Sequence, residues 1–226
     1  MTRSLALAFV LATVTATAAL AQTQPQQPAA PAAGAPDTAQ RFQAYVTSEG
    51  YKKTISQLAT FGDTVSDPAC KEHKPKERAS MTVYGPMVFG EGFHPVSGMW
   101  MDRIKVDRCG TQVIQNVLVR ARDGGQPPQM ALTMPGGTAA TPPMQDLVMK
   151  DVLAKFAKGT CKDQTRVIPN NTKIDKESKP RKIDSRGMLI EGAWKETWTF
   201  HACGKLASVG VEFATDGKGG LSHKVK

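Results

Sequence analysis

Two segments of the chain alternate apolar and polar residues in the same way, 94 positions apart. Each has the pattern G-x-W, eight further residues, then C-G, at residues 98–110 and 192–204. After each tryptophan the next three alternate residues are apolar or acidic in both segments, and the residues between are mostly polar. A period of two residues is typical of a half-buried β-strand. The alternation resumes after Cys-Gly, so each copy predicts an antiparallel hairpin with one apolar face.

A helix is predicted upstream of each hairpin. Apolar residues recur at helical spacing over residues 43–61, including Phe61, and over residues 144–156. A cysteine follows each helix, and a further strand candidate lies between that cysteine and the tryptophan strand. The candidates are residues 80–84, extending to 89, in the first copy and residues 165–168 or 181–183 in the second.

These elements predict an α+β fold of two tandem repeats. Each repeat is a helix packed on a small antiparallel sheet and stapled by a disulfide. We expect repeat unit 1 at residues 40–122 and repeat unit 2 at residues 144–226, separated by a Gly- and Pro-rich linker at 123–143. Because a unit of about 85 residues buries little surface alone, the two units should pack together about a pseudo-two-fold.

The four cysteines, Cys70, Cys109, Cys161 and Cys203, allow three disulfide pairings. The repeat favours the one that gives each unit the same staple, Cys70 with Cys109 and Cys161 with Cys203. In the chain-entropy model each such bridge contributes about 3–4 kcal/mol. There is no C-x-x-C, so a thioredoxin-type oxidoreductase is not indicated.

The N-terminus predicts export. Arg3 precedes an apolar stretch over residues 5–20, and small residues at 19 and 21 form a cleavage site, so residues 1–21 are expected to be a signal peptide. Residues 22–39 are rich in Pro, Ala and Gln and predict a disordered tether. We therefore expect a soluble periplasmic or secreted protein with no membrane span after cleavage.

Charge narrows the range of partners. The chain has a net charge of +9, and export removes only Arg3 of it. Such a balance favours anionic surfaces or acidic partners. We expect an anionic envelope component or another periplasmic protein as partner, and no nucleic acid, because the cations are scattered and export separates the protein from it.

No established catalytic or cofactor motif occurs: nucleophile elbow, H-E-x-x-H, Walker loop and dinucleotide glycine pattern are all missing from the sequence. We therefore assign no catalytic, cofactor-binding or metal residues. Asp102 and Glu196, each two positions after a repeat tryptophan, fall on the otherwise apolar face, and a structural ion pair is the favoured interpretation for both. Glu91 and His94 lie in a Gly- and Pro-bounded connection, and with Asp102 they form the alternative of a hydrolase without a recognisable motif.

Metal handling is a second alternative. Cys70, His73, His201 and Cys203 offer a tetrahedral zinc set, although oxidation of the thiols in an exported protein opposes it. His73 is otherwise expected in an exposed loop and His201 on the solvated side of its strand. For copper the candidate cluster is Met81, Met87, His94, Met99 and Met101, against the view that methionine fills irregular core gaps.

The tryptophan strand, the Cys-Gly turn and the following apolar strand with its D-G-K-G-G sequence resemble a hairpin of small, uncharacterised exported proteobacterial proteins. The resemblance covers residues 192–220, with an echo at 98–125. It implies a bacterial periplasmic or secreted setting and no particular activity. The sequence as a whole favours a non-enzymatic, envelope-associated binding or interaction protein.

Overall fold

Two helices and a four-stranded antiparallel sheet make up the first half of the chain. The computed structural model describes residues 37–159, 161–183, 189–216 and 220–226; the expected signal peptide lies outside these ranges. The helices are α1 (Thr38–Thr47) and α2 (Glu49–Ser66). The strands, in sheet order, are β1 (His73–Phe89), β2 (Pro95–Arg108), β3 (Thr111–Arg120) and β4 (Gln129–Leu132).

The second half has the same strand order and one helix. Helix α3 (Pro142–Lys158) precedes the sheet. Its strands, again in sheet order, are β5 (Val167–Ile183), β6 (Leu189–Ala202), β7 (Lys205–Thr215) and β8 (Leu221–Val225). Strands β5, β6 and β7 begin 94 positions after β1, β2 and β3. The α+β class is confirmed, with two four-stranded antiparallel sheets.

Ser48 separates α1 from α2. Its hydroxyl donates to the Tyr45 carbonyl oxygen at 2.8 Å and accepts from the Tyr51 amide at 3.4 Å. Serine is a preferred N-cap because its side-chain oxygen satisfies a free amide of the first turn. The apolar spacing predicts one helix over residues 43–61, but this cap divides it, so the first sheet carries two helices where the sequence predicts one.

Both Cys-Gly pairs form the two-residue connection of a hairpin. Arg108 pairs with Thr111 across the first turn, and Ala202 pairs with Lys205 across the second. The φ angles are +46° at Cys109 and +84° at the following glycine, and +52° and +84° in the second turn. Positive φ at both central residues is the signature of a type I′ turn, whose twist matches that of the strands. The turns predicted from sequence are therefore confirmed.

In each sheet, the face that carries the tryptophan side chains is buried under the helices of its half. In the first half Tyr45, Val46, Tyr51, Ile55 and Ala59 of the helices pack on Trp100, Ile104, Val106, Val117 and Val119. In the second half Val148, Val152 and Phe156 of α3 pack on Trp194, Trp198, Phe200, Val209, Val211 and Phe213. Full burial of one such large side chain contributes about 1.5–3 kcal/mol. These two cores position the polar groups described below.

The two disulfides join Cys70 to Cys109 and Cys161 to Cys203, the pairing expected from the sequence. The Cα–Cα distances are 5.9 and 5.5 Å, and the pairs are 39 and 42 residues apart in sequence. Each bridge ties the chain that enters the outer strand of its sheet to the type I′ turn of the neighbouring hairpin. The disulfides indicate an oxidising, extracytoplasmic compartment.

Residues 133–140, here called the strap, connect the two sheets. The Thr133 amide donates to Asn116 O at 3.0 Å and the Gly136 amide to Ile114 O at 2.8 Å, both on β3. The next amide, at Gly137, donates to Thr172 O of β5 at 2.8 Å. Thus consecutive amides bind opposite sheets. The strap lies inside residues 123–143, the segment that the sequence predicts as a linker, and β4 lies there as well.

Gly136 is required where the strap passes β5. Its φ is +92°, and a Cβ at this position would lie 2.3 Å from the Thr172 carbonyl oxygen. Such a distance is far inside van der Waals contact, and positive φ is unfavourable for residues other than glycine. Buried side chains fasten the strap on both sides: the Asn116 amide donates to Met134 O and Gly136 O, and Gln145 bonds the Met134 amide and Ala140 O.

Candidate functional site

Asp102 is fully buried beneath the helices of the first half. Arg78 on β1 donates to its carboxylate from Nε at 2.5 Å and from Nη2 at 2.9 Å. The Tyr51 hydroxyl donates at 2.8 Å, and the Trp100 indole donates in turn to the Tyr51 oxygen at 2.7 Å. The carboxylate is therefore paired with a cation and bonded by three donors, as a buried charge requires.

Glu196 lies at the equivalent place of the second half and is also fully buried, but its donors differ. The indoles of Trp194 and Trp198 donate to its two oxygens at 2.7 Å each, and the Ala139 amide of the strap donates at 2.8 Å. All three donors are neutral. The expected structural ion pair is thus correct for Asp102 and wrong for Glu196, within the described residues. The physical reason is that the Trp198 indole supplies the hydrogen bond that a cation supplies in the first half.

The first half has another buried carboxylate, Asp63, which lies at its disulfide end. Arg108 donates to its Oδ1 from Nε at 3.0 Å and from Nη2 at 2.5 Å, and Gln115 donates at 2.8 Å. His73 Nδ1 lies 2.6 Å from Oδ2, while its Nε2 lies 3.1 Å from Cys70 O. Burial acts to raise the pKa of Asp63, but the hydrogen bonds from Arg108, His73 and Gln115 outweigh it and hold the pKa below its usual value.

His73 is not in an exposed loop, as its charged neighbours suggest. Its side chain is 6% exposed and sits at the start of β1, against Asp63. The sequence around His73 is polar, but the buried carboxylate of Asp63 on α2 binds its ring. His201 is partly buried and contacts the Asn170 side chain at 3.2 Å, so it too has a protein partner rather than solvent alone.

The first half has an aromatic groove of about 720 Å³. One side is the face of α2, one end is formed by the loop before β2, and the other side is the segment that enters β4. Its lining comprises Tyr45, Gly50, Tyr51, Thr54, Gln57, Leu58, Phe61, Phe93, His94, Pro127, Pro128 and Met130. No Asp, Glu, Lys or Arg is among these residues. Pockets of 300–1,000 Å³ lined by aromatic and apolar groups are typical ligand sites.

Aromatic rings give the groove its shape. Phe93 lies 5.2 Å from the Tyr45 ring and 5.4 Å from the His94 ring, in tilted and edge contacts. The loop that carries them is braced by Arg41, which donates to the carbonyl oxygens of Gly90 and Gly92 at 2.8 and 2.7 Å. The loop is therefore anchored to α1 and presents Phe93, which is 60% exposed, as a fixed wall.

The two tyrosine hydroxyls at the groove floor have little acid–base capacity at neutral pH. Burial raises the pKa of Tyr45 to about 12. Burial and the Asp102 charge together raise the pKa of Tyr51 well above its ordinary value. Both phenols stay protonated, and the Tyr51 oxygen is already committed to Asp102 and Trp100. His94 Nδ1 faces the Tyr45 hydroxyl at 3.4 Å.

The structure does not assemble the hydrolase set of Glu91, His94 and Asp102. Of the three, only His94 lines the groove. Glu91 is exposed in the preceding loop. Asp102 is beneath Tyr51, with its oxygens bound by Arg78 and Tyr51.

The methionines proposed for copper lie on opposite faces of the first sheet. Met81 pairs with Asp102 across the strands, so it shares the core face, where Met87 also packs. Met99 and Met101 occupy odd positions of β2 and point to the other face. Alternation along the strand thus separates residues that are close in sequence.

The zinc set is likewise not brought together. Cys70 and Cys203 belong to two different disulfides, so neither offers a thiolate, and His73 is bonded to Asp63. Within the described ranges no group of three or more His, Cys, Asp or Glu side chains is arranged to hold a metal ion.

Phe61 is the groove residue that the sequence places wrongly. The helical spacing puts it on the buried face, whereas it is 61% exposed at the rim of the groove. It also lines a second hollow of about 450 Å³ between α2, β4 and α3. A sequence signal for the groove is a second face of α2, which carries Gly50, Thr54, Leu58 and Phe61 at helical spacing. The Pro127–Pro128 pair forms the opposite wall.

Comparison with protein-family models, with curated proteins and with solved structures finds no match to this chain. Among the helices of the described ranges, none has the length and apolar character needed to cross a membrane. The site is therefore interpreted from its own geometry.

Proposed function

We propose that the protein is an exported, non-enzymatic binding protein whose ligand site is the aromatic groove of the first half. The observation that carries this proposal is the groove itself: about 720 Å³, walled by anchored aromatic rings and free of ionised carboxylates, lysines and arginines. The acid beneath it is fully bonded to its neighbours. Such a site provides a large apolar and aromatic contact area, and its two tyrosine hydroxyls offer little means of proton transfer.

The lining indicates the chemistry of the ligand. Tyr45, Phe61 and Phe93 offer ring faces and edges, while Thr54 and Gln57 offer hydrogen bonds on one side. A charged ligand group would lose its hydration here without gaining an ion pair. The groove therefore favours an uncharged apolar or aromatic group, carried by a small molecule or by a peptide side chain.

The setting of this function is the bacterial periplasm or the exterior. Support comes from the expected signal peptide at residues 1–21, the tether that follows it and the resemblance of the second hairpin to exported proteobacterial proteins. Both disulfides agree with an oxidising compartment.

We also propose that residues 40–122 and 144–226 arose by duplication of one stapled unit. Supporting observations are the common strand order, the constant offset of 94 positions and the equivalent disulfides. Gly98 and Gly192, each two positions before a tryptophan, both have positive φ. The groove belongs to the first copy alone, since its walls come from α1 and α2, and the second copy has α3 in their place.

The test measures binding of the neutral fluorescent probe N-phenyl-1-naphthylamine to the exported, disulfide-bonded protein. We expect Phe93→Ala to weaken probe binding about tenfold, because a well-packed aromatic contributes about 1–3 kcal/mol. Leu206→Ala is the control, since Leu206 is a similarly exposed apolar residue, at 64%, that does not line the groove. Loss of binding in both variants, or no probe binding by the wild type, would contradict the proposal.

A further inference from the structure

Exposed cations collect around the second disulfide. The region, here called the second-half tip, comprises residues 155–159, 161–166 and 203–206. The Cys203 amide donates to Arg166 O at 3.1 Å and the Cys161 amide to Phe156 O at 3.0 Å, so helix end, 3-10 turn and hairpin turn meet there. Its cations are Lys155, Lys158, Lys162, Arg166 and Lys205, all exposed.

The tip contains one acid to balance them. The carboxylate of Asp163 caps the 3-10 turn by accepting from the Thr165 amide at 3.1 Å and from its hydroxyl at 2.6 Å. These hydrogen bonds lower the pKa of Asp163, and the nearby charge of Arg166 adds to the effect. Among the salt bridges of the described residues, none involves any of the five cations. The tip therefore has a local excess of four positive charges.

The corresponding end of the first half, residues 61–72 and 109–112, has one cation, Lys71, against three acids, Asp63, Asp67 and Glu72, and the cations beside it are paired with acids. Lys74 pairs with Glu72 at 2.8 Å, and Lys76 lies 4.0 Å from Asp107. Arg108 is bound to Asp63 in the core. Since both ends are built on a disulfide and a type I′ turn, the positive charge of the second-half tip does not follow from those two features. It is a property of that end alone.

The tip is also cross-linked and bears an exposed apolar side chain. A disulfide joins two of its segments, one of them at a type I′ turn, and Leu206, beside Lys205, is 64% exposed. Lysine and arginine around an apolar side chain are the elements by which proteins dock on anionic bilayers, where each cation strengthens binding by about fivefold.

We propose that the second-half tip docks the protein on a membrane surface of anionic phospholipid. Charge complementarity commits the surface to this partner: five exposed cations face a layer of phosphate groups, and Leu206 reaches the boundary between headgroups and acyl chains. Docking of this kind holds a carrier or receptor at the membrane without a spanning helix. It is independent of the aromatic groove, which lies in the other half.

The test is co-sedimentation of the exported protein with vesicles of phosphatidylcholine alone or mixed with phosphatidylglycerol. The tip variant combines Lys158→Gln, Lys162→Gln, Arg166→Gln and Lys205→Gln. The control variant removes the same amount of charge from exposed cations without salt bridges elsewhere, by Arg122→Gln, Lys173→Gln, Lys176→Gln and Lys224→Gln. Unchanged near-ultraviolet circular dichroism and unchanged probe binding verify that both variants keep the fold and the groove.

We expect the wild type to bind mixed vesicles and not neutral ones, and to be released by high salt because counterions screen the contact. The tip variant should lose at least about tenfold in affinity, and the control less than about threefold. Equal losses in the two variants would overturn the proposal, because they would show that net charge alone is responsible. Absence of wild-type binding to mixed vesicles, including the case in which a soluble anionic polymer binds instead, would overturn it as well.

Discussion

The two halves of this protein solve the same problem of a buried acid in different ways. In the first, Asp102 accepts from Arg78 and from Tyr51, which itself accepts from Trp100. In the second, Glu196 is one methylene longer and accepts directly from Trp194. The position of Arg78 is taken by Thr172, and that of Ile104 by Trp198, whose indole completes the set. Either arrangement satisfies the carboxylate, so the sheet requires a set of donors and not a particular residue.

The disulfide ends show a larger difference. Asp63 in the first half is held by His73, Arg108 and Gln115. The residues 94 positions later are apolar: Val167, Ala202 and Val209. The same positions of the sheet thus hold a polar cluster in one half and buried apolar side chains in the other. Buried ion pairs are often replaceable by packed apolar groups without loss of stability, and the two halves illustrate both choices.

The largest expected effect comes from removing the cation of the Asp102 site. Arg78→Met leaves a carboxylate that is fully buried and has only Tyr51 as donor. Breaking a buried pair from one side costs about 3–5 kcal/mol in the free energy of unfolding. Urea unfolding followed by circular dichroism measures it. In the second half we expect no single loss of a cation to have a comparable effect, because no cation contacts Glu196 within the described residues.

Lys105→Met is the control for this variant. Lys105 pairs with Glu77 at 2.6 Å on the same pair of strands, but the contact is open to solvent, which screens it. We expect the free energy of unfolding of this variant to differ only slightly from that of the wild type. If the two variants lost similar amounts of stability, the burial of the Asp102 pair would not be the cause.

The strand frame was predictable because its signals are short-range or repeated. Alternation along 98–110 and 192–204 and the Cys-Gly turns follow from residues near one another in sequence, and the pairing of cysteines follows from the repetition of the pattern. The partners of the buried polar groups were not predictable in this way. Asp63 and Gln115 are 52 residues apart, and Ala139 and Glu196 are 57 apart. Nothing in the local pattern announces such contacts.

The strap and the groove illustrate the same limit. Residues 133–140 are rich in Gly, Ala and Pro, which predicts a linker, yet their backbone amides bind β3, β5 and Glu196. The hydropathy pattern reflects side chains only, so it does not indicate which backbone groups form hydrogen bonds. Phe61 is apolar at a helical position, but which helix face is covered depends on where β4 ends. The candidate site therefore emerges only from the assembled fold.

A smaller effect is expected from Glu196→Gln, which tests the neutral solution of the second half. Glutamine keeps one accepting oxygen, but its amide group would face an indole N–H, so a donor meets a donor. An unsatisfied buried donor costs about 1–3 kcal/mol. Glu212→Gln, on the solvent-exposed side of the neighbouring strand, is the matched control and should change stability little. Stability equal to that of the wild type would contradict the prediction, because it would show that the two indole hydrogen bonds to Glu196 contribute little to the free energy of unfolding.

The smallest change in stability at neutral pH should come from giving the first half the apolar end of the second. We consider the combination Asp63→Leu, His73→Val, Arg108→Met and Gln115→Val, with methionine chosen to keep volume. Because the whole cluster is replaced and no charge is left buried without a partner, we expect the free energy of unfolding at pH 7 to stay within about 2 kcal/mol of the wild type.

The dependence of stability on acid pH should change more in this variant. The pKa of Asp63 is lower in the folded protein than in the unfolded chain, where it is about 3.9. Its contribution to stability is therefore complete above that value and is lost as pH falls through the folded pKa, since the unfolded chain binds the proton first. Urea unfolding at a series of pH values should show a shallower loss below about pH 4 in the apolar variant than in the wild type. An identical acid slope in both proteins would mean that the difference between the two disulfide ends has no part in the response to acid.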